Sequence, residues 1–178
     1  LRVARHFSPA SLQALGFVWL TSDSLLDALS RLVHYFRAVS NTIELELAVA
    51  GEECRLSIAR VMHLRRSRDQ SRDALWAAVI SLCRISTSED FTPLALQLER
   101  PEPPCVADFY ALFRAPIGFG APRDTMVFRR AEVERPLPTA NRGLARANEQ
   151  IVADYMARLD QTRFADRVRL KLVESLQL

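Results

Sequence analysis

Four large aromatic side chains and two polar ones carry the chemistry this sequence offers: Trp19, Trp76, Phe119 and Phe128, with His34 and Arg84. That chemistry is non-covalent. Indole and phenyl faces can wall a cleft for a small, partly apolar molecule, and an indole N–H can orient one polar group in it. His34 and Arg84, if turned inward, supply polar contacts. The six form the candidate ligand-binding set. The plainer reading of each aromatic is packed core, and His34 equally suits an exposed helix face. Two tryptophans on elements expected to converge bring the pocket in as the second reading.

Bond-making chemistry asks for more than the chain provides. His6, His34 and His63 have no HExxH, HxH or neighbouring Cys, so no metal site is expected. Cys54, Cys83 and Cys105 are odd in number and far apart, which suggests reduced, partly buried thiols and not a disulfide framework. There is no GxSxG and no P-loop, and the Gly118–Gly120 pair reads as a bend in a strand. Acid pairs such as Glu52 with Glu53 and Glu89 with Asp90 sit in turns, where solvation explains them. No catalytic constellation assembles, so neither an enzyme nor a cofactor is expected.

The charge pattern points away from nucleic acid as a direct partner. The net charge is +3, yet residues 1–128 hold 14 Arg against 14 acids, and the excess lies in residues 129–178. Without a recognition helix, RNP-type aromatics or zinc-finger spacing, that excess makes no binding surface. The composition, 49% hydrophobic and 25% charged, is that of a globular protein. No apolar run approaches the roughly 20 residues that span a bilayer, and no signal peptide is visible, so a cytoplasmic location without membrane contact is expected. The chain starts at Leu1 without an initiator Met, as a fragment would.

The elements that would position the six residues follow from periodicity. Leu15 to Leu20 reads as a short buried strand. Ser24 with Asp27 resembles a capping box, followed by Leu25, Leu29, Leu32, Val33 and Phe36 at helical spacing. TIELELAV from Thr42 and CRLSIARV from Cys54 alternate and form a hairpin through Gly51. ALWAAVISLC is apolar almost all round, which suits a helix covered on more than one side, at the middle of the core. Leu94, Leu96 and Leu98 mark another strand, and Val106, Phe109, Tyr110 and Phe113 a short helix. The stretch 115–138 reads as two strands, around 117–119 and 125–129, joined by a tight turn at 121–124 and closed by RPLP.

The two halves share one order of elements. The expected fold is therefore α+β: an antiparallel sheet from two β-α-β-β units, with a central helix between them and a C-terminal helical tail. A small-ligand cleft would lie where the halves meet. From Thr139 the texture turns wholly helical. Residues 139–162 space Leu144, Ala147, Ile151, Tyr155 and Leu159 along an exposed or partner-facing helix, and a second amphipathic segment carries Val168, Leu172 and Leu176.

Several blocks in this order resemble the N-terminal effector domain of AraC/XylS-family bacterial transcription activators, in the subgroup related to regulators of ornithine and quorum-sensing genes. They are the opening GFVWLTSDSLLDALSRLVHYFRAVS, the helix ALWAAVISLCR, then FGAP, VF and RPLP, and the tail FADRVRLKLVESL, together covering roughly residues 10–178. The resemblance implies a sensing domain over 1–138, a linker and dimerisation helix over 139–162, and at 163–178 the first helix of a DNA-binding domain whose helix-turn-helix motifs are missing here. It implies a small-molecule effector of unknown identity, a homodimer, and DNA contact only through the missing domain. A cupin-like barrel, used for sensing elsewhere in the family, is the alternative fold. A ligand-free interaction module is the alternative function.

Overall fold

The computed structural model describes residues 8–40, 42–61 and 68–176. A 3-10 turn, Pro9–Leu12, leads into α1 (Ala14–Leu20) and α2 (Leu25–Tyr35), which a second 3-10 turn extends through Phe36–Ala38. The hairpin β1 (Ile43–Ala50) and β2 (Glu53–Val61) precedes the long helix α3 (Arg68–Ser86). Then come β3 (Ala95–Leu98), α4 (Val106–Phe113), β4 (Ile117–Phe119), β5 (Thr125–Arg129), the single turn α5 (Arg130–Val133) and α6 (Arg142–Leu176).

The class is α+β, and the sheet is open, with strand order β1-β2-β5-β3-β4; it does not close into a barrel. One row of side chains shows how it is built. Leu47, Leu56, Met126, Leu96 and Ile117 stand opposite one another across all five strands, on the face that helices cover. The next row, Ser57, Thr125, Gln97 and Gly118, belongs to the other face, where Glu44, Glu46, Arg55 and Gln97 are exposed. Alternation along each strand sorts apolar residues to the covered side and polar ones to water.

Three expectations need correction. Leu15 to Leu20 is helix, not strand. Leu15, Val18 and Trp19 are buried at helical spacing while Phe17 is exposed, a pattern that a short apolar run leaves ambiguous in sequence. The first half is thus α-α-β-β, and only the second is β-α-β-β. The 121–124 turn does not join a hairpin: β5 lies between β2 and β3, and β4 occupies the edge beyond β3. Because the helix α4 carries the chain across from β3 to β4, these two strands run parallel and the sheet is mixed.

Local chemistry explains the rest. Ser24 Oγ accepts from the Asp27 amide at 3.1 Å, and Asp27 Oδ2 accepts from the Asp23 amide at 3.1 Å, fixing the start of α2. Gly51, at φ 55°, opens the two-residue turn of the hairpin. Gly16 permits a close approach, since a Cβ there would lie 1.8 Å from the Pro9 carbonyl oxygen. That contact seats the 3-10 turn, and Leu12 with it, on α1.

The tail runs as one helix without interruption through position 162. At 1.5 Å per residue it is about 50 Å long. Its start is clamped to the domain: Asn141 Oδ1 caps it by accepting from the Leu144 amide, the Asn141 amide donates to the Thr21 carbonyl at 2.9 Å, and Arg142 pairs with Asp23 at 2.8 Å. Ala145 and Val152 are buried, with Met156 packed against the core. The side chains of Val168, Leu172 and Leu176 lie outside the described residues.

Candidate functional site: an apolar cleft between two helices

The helix α3 has two faces with different fates. Arg72, Asp73, Trp76, Ile80 and Cys83 point into the closed interior, while Ser71, Ala74, Leu75, Ala78, Val79 and Leu82 border a cavity of about 340 Å³. Leu32 of α2 and Phe36 and Val39 beyond its end form the opposite wall, and Ser40, Thr42, Ile43 and Leu12 complete the lining. None of these residues is ionisable. The size is within the range of small-ligand sites, and among the described residues the lining is apolar apart from three hydroxyls, so the cleft can take up a small molecule through area burial and a few hydrogen bonds.

A second hollow, about 290 Å³, adjoins it on the far side of Leu12 and Val39. Ile151, Val152 and Tyr155 of α6 line it, with Ala38 and the segment Ser11–Leu15. Leu12 and Val39 belong to both linings, so they form a partition between the cleft and the tail helix. On α2, Arg31 hydrogen-bonds Asp27 of its own helix at 2.9 Å and forms an ion pair with Glu149 of α6 at 2.8 Å. The wall of the cleft therefore shares a hollow with α6 and is tied to it by charge.

The closed face of α3 holds a buried ionic network. Arg72 pairs with Asp69, with Glu99 and with Asp124, the last at 3.4 Å, and Asp73 pairs with Arg100. Asp124 Oδ1 also accepts the Glu99 amide at 2.6 Å. Burial pushes the Asp124 carboxyl above its usual range, against the pull of the Glu99 amide and Arg72; burial does the same to Asp73, against Arg100. Burial also raises the Cys54 thiol to about 11 and raises Cys83 as well. No group of His, Cys, Asp and Glu among the described residues could hold a metal.

The six residues singled out in sequence do not line the cleft. Three of them gather around the C-terminal end of α3. Trp19 donates its indole N–H to Ser86 Oγ at 2.9 Å, Arg84 donates to the Phe91 carbonyl at 3.1 Å, and Phe91 in turn packs on Phe128 with ring centroids 6.1 Å apart. Trp76 is fully buried on the closed face. Phe119 meets Phe109 of α4 edge-on at 5.9 Å, and His34, exposed on α2, meets Tyr35 at 4.5 Å. The cleft residues that sequence reading missed had one signal, the all-round apolarity of ALWAAVISLC. A helix with more apolar positions than one core face needs has a second apolar surface to line.

A family profile described as the N-terminal arabinose-binding domain of AraC transcription regulators matches residues 1–137. Among solved structures, this chain is similar to the transcriptional regulator CdpR from Pseudomonas aeruginosa, with a TM-score of 0.67 and 18% sequence identity. The match covers 82% of this chain and 47% of that one, so the chain spans about half the length of that regulator. No curated protein is similar enough in sequence to count as a relative.

Proposed function

The chain belongs to the family of the N-terminal arabinose-binding domain of AraC transcription regulators, and on that premise we propose that it senses a small molecule in the cleft between α2 and α3 and reports occupancy through α6. Its family is that of a regulator's ligand-binding domain, not of a catalyst. The observation that carries the reading is the shared partition. A ligand that presses on Leu12 and Val39 reshapes the hollow that Ile151 and Tyr155 line on the other side, and a shift of α2 alters the Arg31–Glu149 pair. Binding one arrangement better than another is all that linkage requires.

On this reading α6 leads toward a helix-turn-helix unit that contacts DNA in the bacterial cytoplasm. Among the described residues no helix is long and apolar enough to cross a membrane. Leu144, Ile151 and Tyr155 are 54%, 57% and 48% exposed and fall on one stripe of α6, about a quarter turn from the face that packs on the domain. We place the contact with a second copy there, since such stripes mark association surfaces.

A thermal-shift screen against small metabolites tests the sensing role. A specific ligand at a hundred times its dissociation constant adds about 2.7 kcal/mol of stability. It should lose that effect when Ala78→Phe fills the cleft. A screen without responders would favour a ligand-free dimerisation module instead.

A further inference from the structure

We infer that the free edge of β1 is a second self-association surface, on which the β1 strand of another copy pairs antiparallel about a two-fold axis at Leu47. The inference depends neither on the sensing site nor on the α6 contact proposed above.

The strand order leaves β1 with one neighbour, β2. Which backbone groups it leaves over follows from the far side of β2. The Arg130 amide donates to the Glu52 carbonyl at 2.8 Å and the Ile58 amide to the Asp124 carbonyl at 3.0 Å, so the even-numbered residues between them turn their N–H and C=O toward β5. Glu53, Arg55 and Ser57 therefore turn theirs toward β1, where they stand opposite Ala50, Ala48 and Glu46. The same alternation directs the N–H and C=O of Leu45, Leu47 and Val49 to the free edge. Among the described residues no backbone group takes them up.

Natural edge strands are blunted by proline, lysine or a bulge. β1 carries neither proline nor lysine, its one irregularity lies at Glu44/Leu45, and beyond it the strand ends in LAVA, Leu47 to Ala50. Val49 is 41% exposed although it shares the helix-covered face with Leu47. Val61, the last described residue of β2, stands opposite Ile43, about 20 Å along the strand from Val49.

The sequence selects a second copy as the occupant. About an axis at Leu47, Leu45 meets the partner's Val49 on the helix-covered face, while Glu44 and Glu46 meet the partner's Ala50 and the partner's Ala48 on the other. Apolar pairs with apolar, and no like charges oppose. An axis at Leu45 or Glu46 would set glutamates face to face, and a slip of one residue would set the covered face of one sheet against the open face of the next. The contact is isologous, so it closes on itself.

The test is sedimentation equilibrium on the full chain, with and without Ile151→Glu, which removes the α6 stripe as a contributor. In both, Val49→Pro should weaken self-association more than about tenfold, because the N–H it lacks belongs to the free edge and not to the β1–β2 ladder. Ala48→Glu, facing the partner's Glu46 and, within its own chain, Arg55, should fold and weaken association in the same direction, whereas Ala48→Lys should strengthen it. In a Cys105→Ser background, Leu47→Cys should cross-link on mild oxidation, since paired Cα atoms lie about 5.5 Å apart. Val49→Cys, more than about 13 Å from its counterpart in this register, should not. A parent that stays monomeric, association that neither Val49→Pro nor Ala48→Glu weakens, or cross-linking at Val49→Cys as readily as at Leu47→Cys would overturn the inference. A Leu47→Cys cross-link that persists with Ile151→Glu would sustain β1 pairing whatever becomes of the α6 contact; association lost to Ile151→Glu with no cross-link at Leu47→Cys would leave α6 as the contact and sink β1 pairing.

Discussion

The two faces of α3 are separated by a single residue step and differ in nearly everything else. On one side Trp76, Ile80 and Cys83 are packed to exclusion of water, and Arg72, Asp73 and Asp124 are buried with their charges paired. On the other, Ala74, Leu75 and Ala78 are only half-buried and face open space across from Leu32 and Phe36. A fold that can close one face this completely leaves the other open at a cost in unburied apolar area. That difference separates the part of the molecule that holds its structure from the part free to respond.

The largest expected contrast comes from neighbouring truncations. Trp76→Ala should cost about 3–5 kcal/mol in denaturant unfolding, and Leu75→Ala, one residue away on the open face, about 1 kcal/mol or less. Equal losses would erase the distinction. Arg72→Met leaves Asp124 buried without its cation and should likewise lose about 3–5 kcal/mol.

A subtler contrast is in pH. Burial raises the Asp73 carboxyl, so the folded chain holds that proton more tightly than the unfolded one. Its contribution is full below the ordinary carboxylate value and is lost as pH rises through the raised one. The stability of the parent relative to Asp73→Asn should therefore fall as pH climbs through that window. A flat difference between the two, measured from pH 3 to about pH 7, would show that the closed face does not desolvate Asp73.

The smallest effect is a labelling rate. Cys54 and Cys83 are buried and hold their thiols protonated at pH 8, while Cys105 is exposed. The native chain should take one equivalent of maleimide quickly and the other two only on unfolding. With Cys105→Ser, an Ala78→Cys thiol should react fast where Cys83, five residues on, does not.

Much of this architecture was legible because local rules agreed with the whole. Ser24 and Asp27 announced the start of α2, the alternation of TIELELAV and CRLSIARV placed the hairpin, and the family blocks from GFVWL to RPLP fell in order. Leu15 to Leu20 misled because six apolar residues have no period to read; packing against α2 and α6 decided for helix. The placement of β5 between β2 and β3 depends on contacts among residues dozens of positions apart, which no turn signal at 121–124 reveals. The cleft was hidden for a different reason. Trp19, Trp76 and Phe128 draw attention by size, and size is also what fits them for the core. The residues that border open space are Leu, Ala and Val, indistinguishable in sequence from those that border one another.

The claim that joins the cleft to the tail can be tested by hydrogen exchange, comparing the parent with the permanently filled Ala78→Phe chain. The account predicts altered exchange along α6 between Ala145 and Met156, beside the Leu12–Val39 partition, and no change at the distant Gly51 turn. A filled cleft with α6 exchanging as in the parent would contradict it.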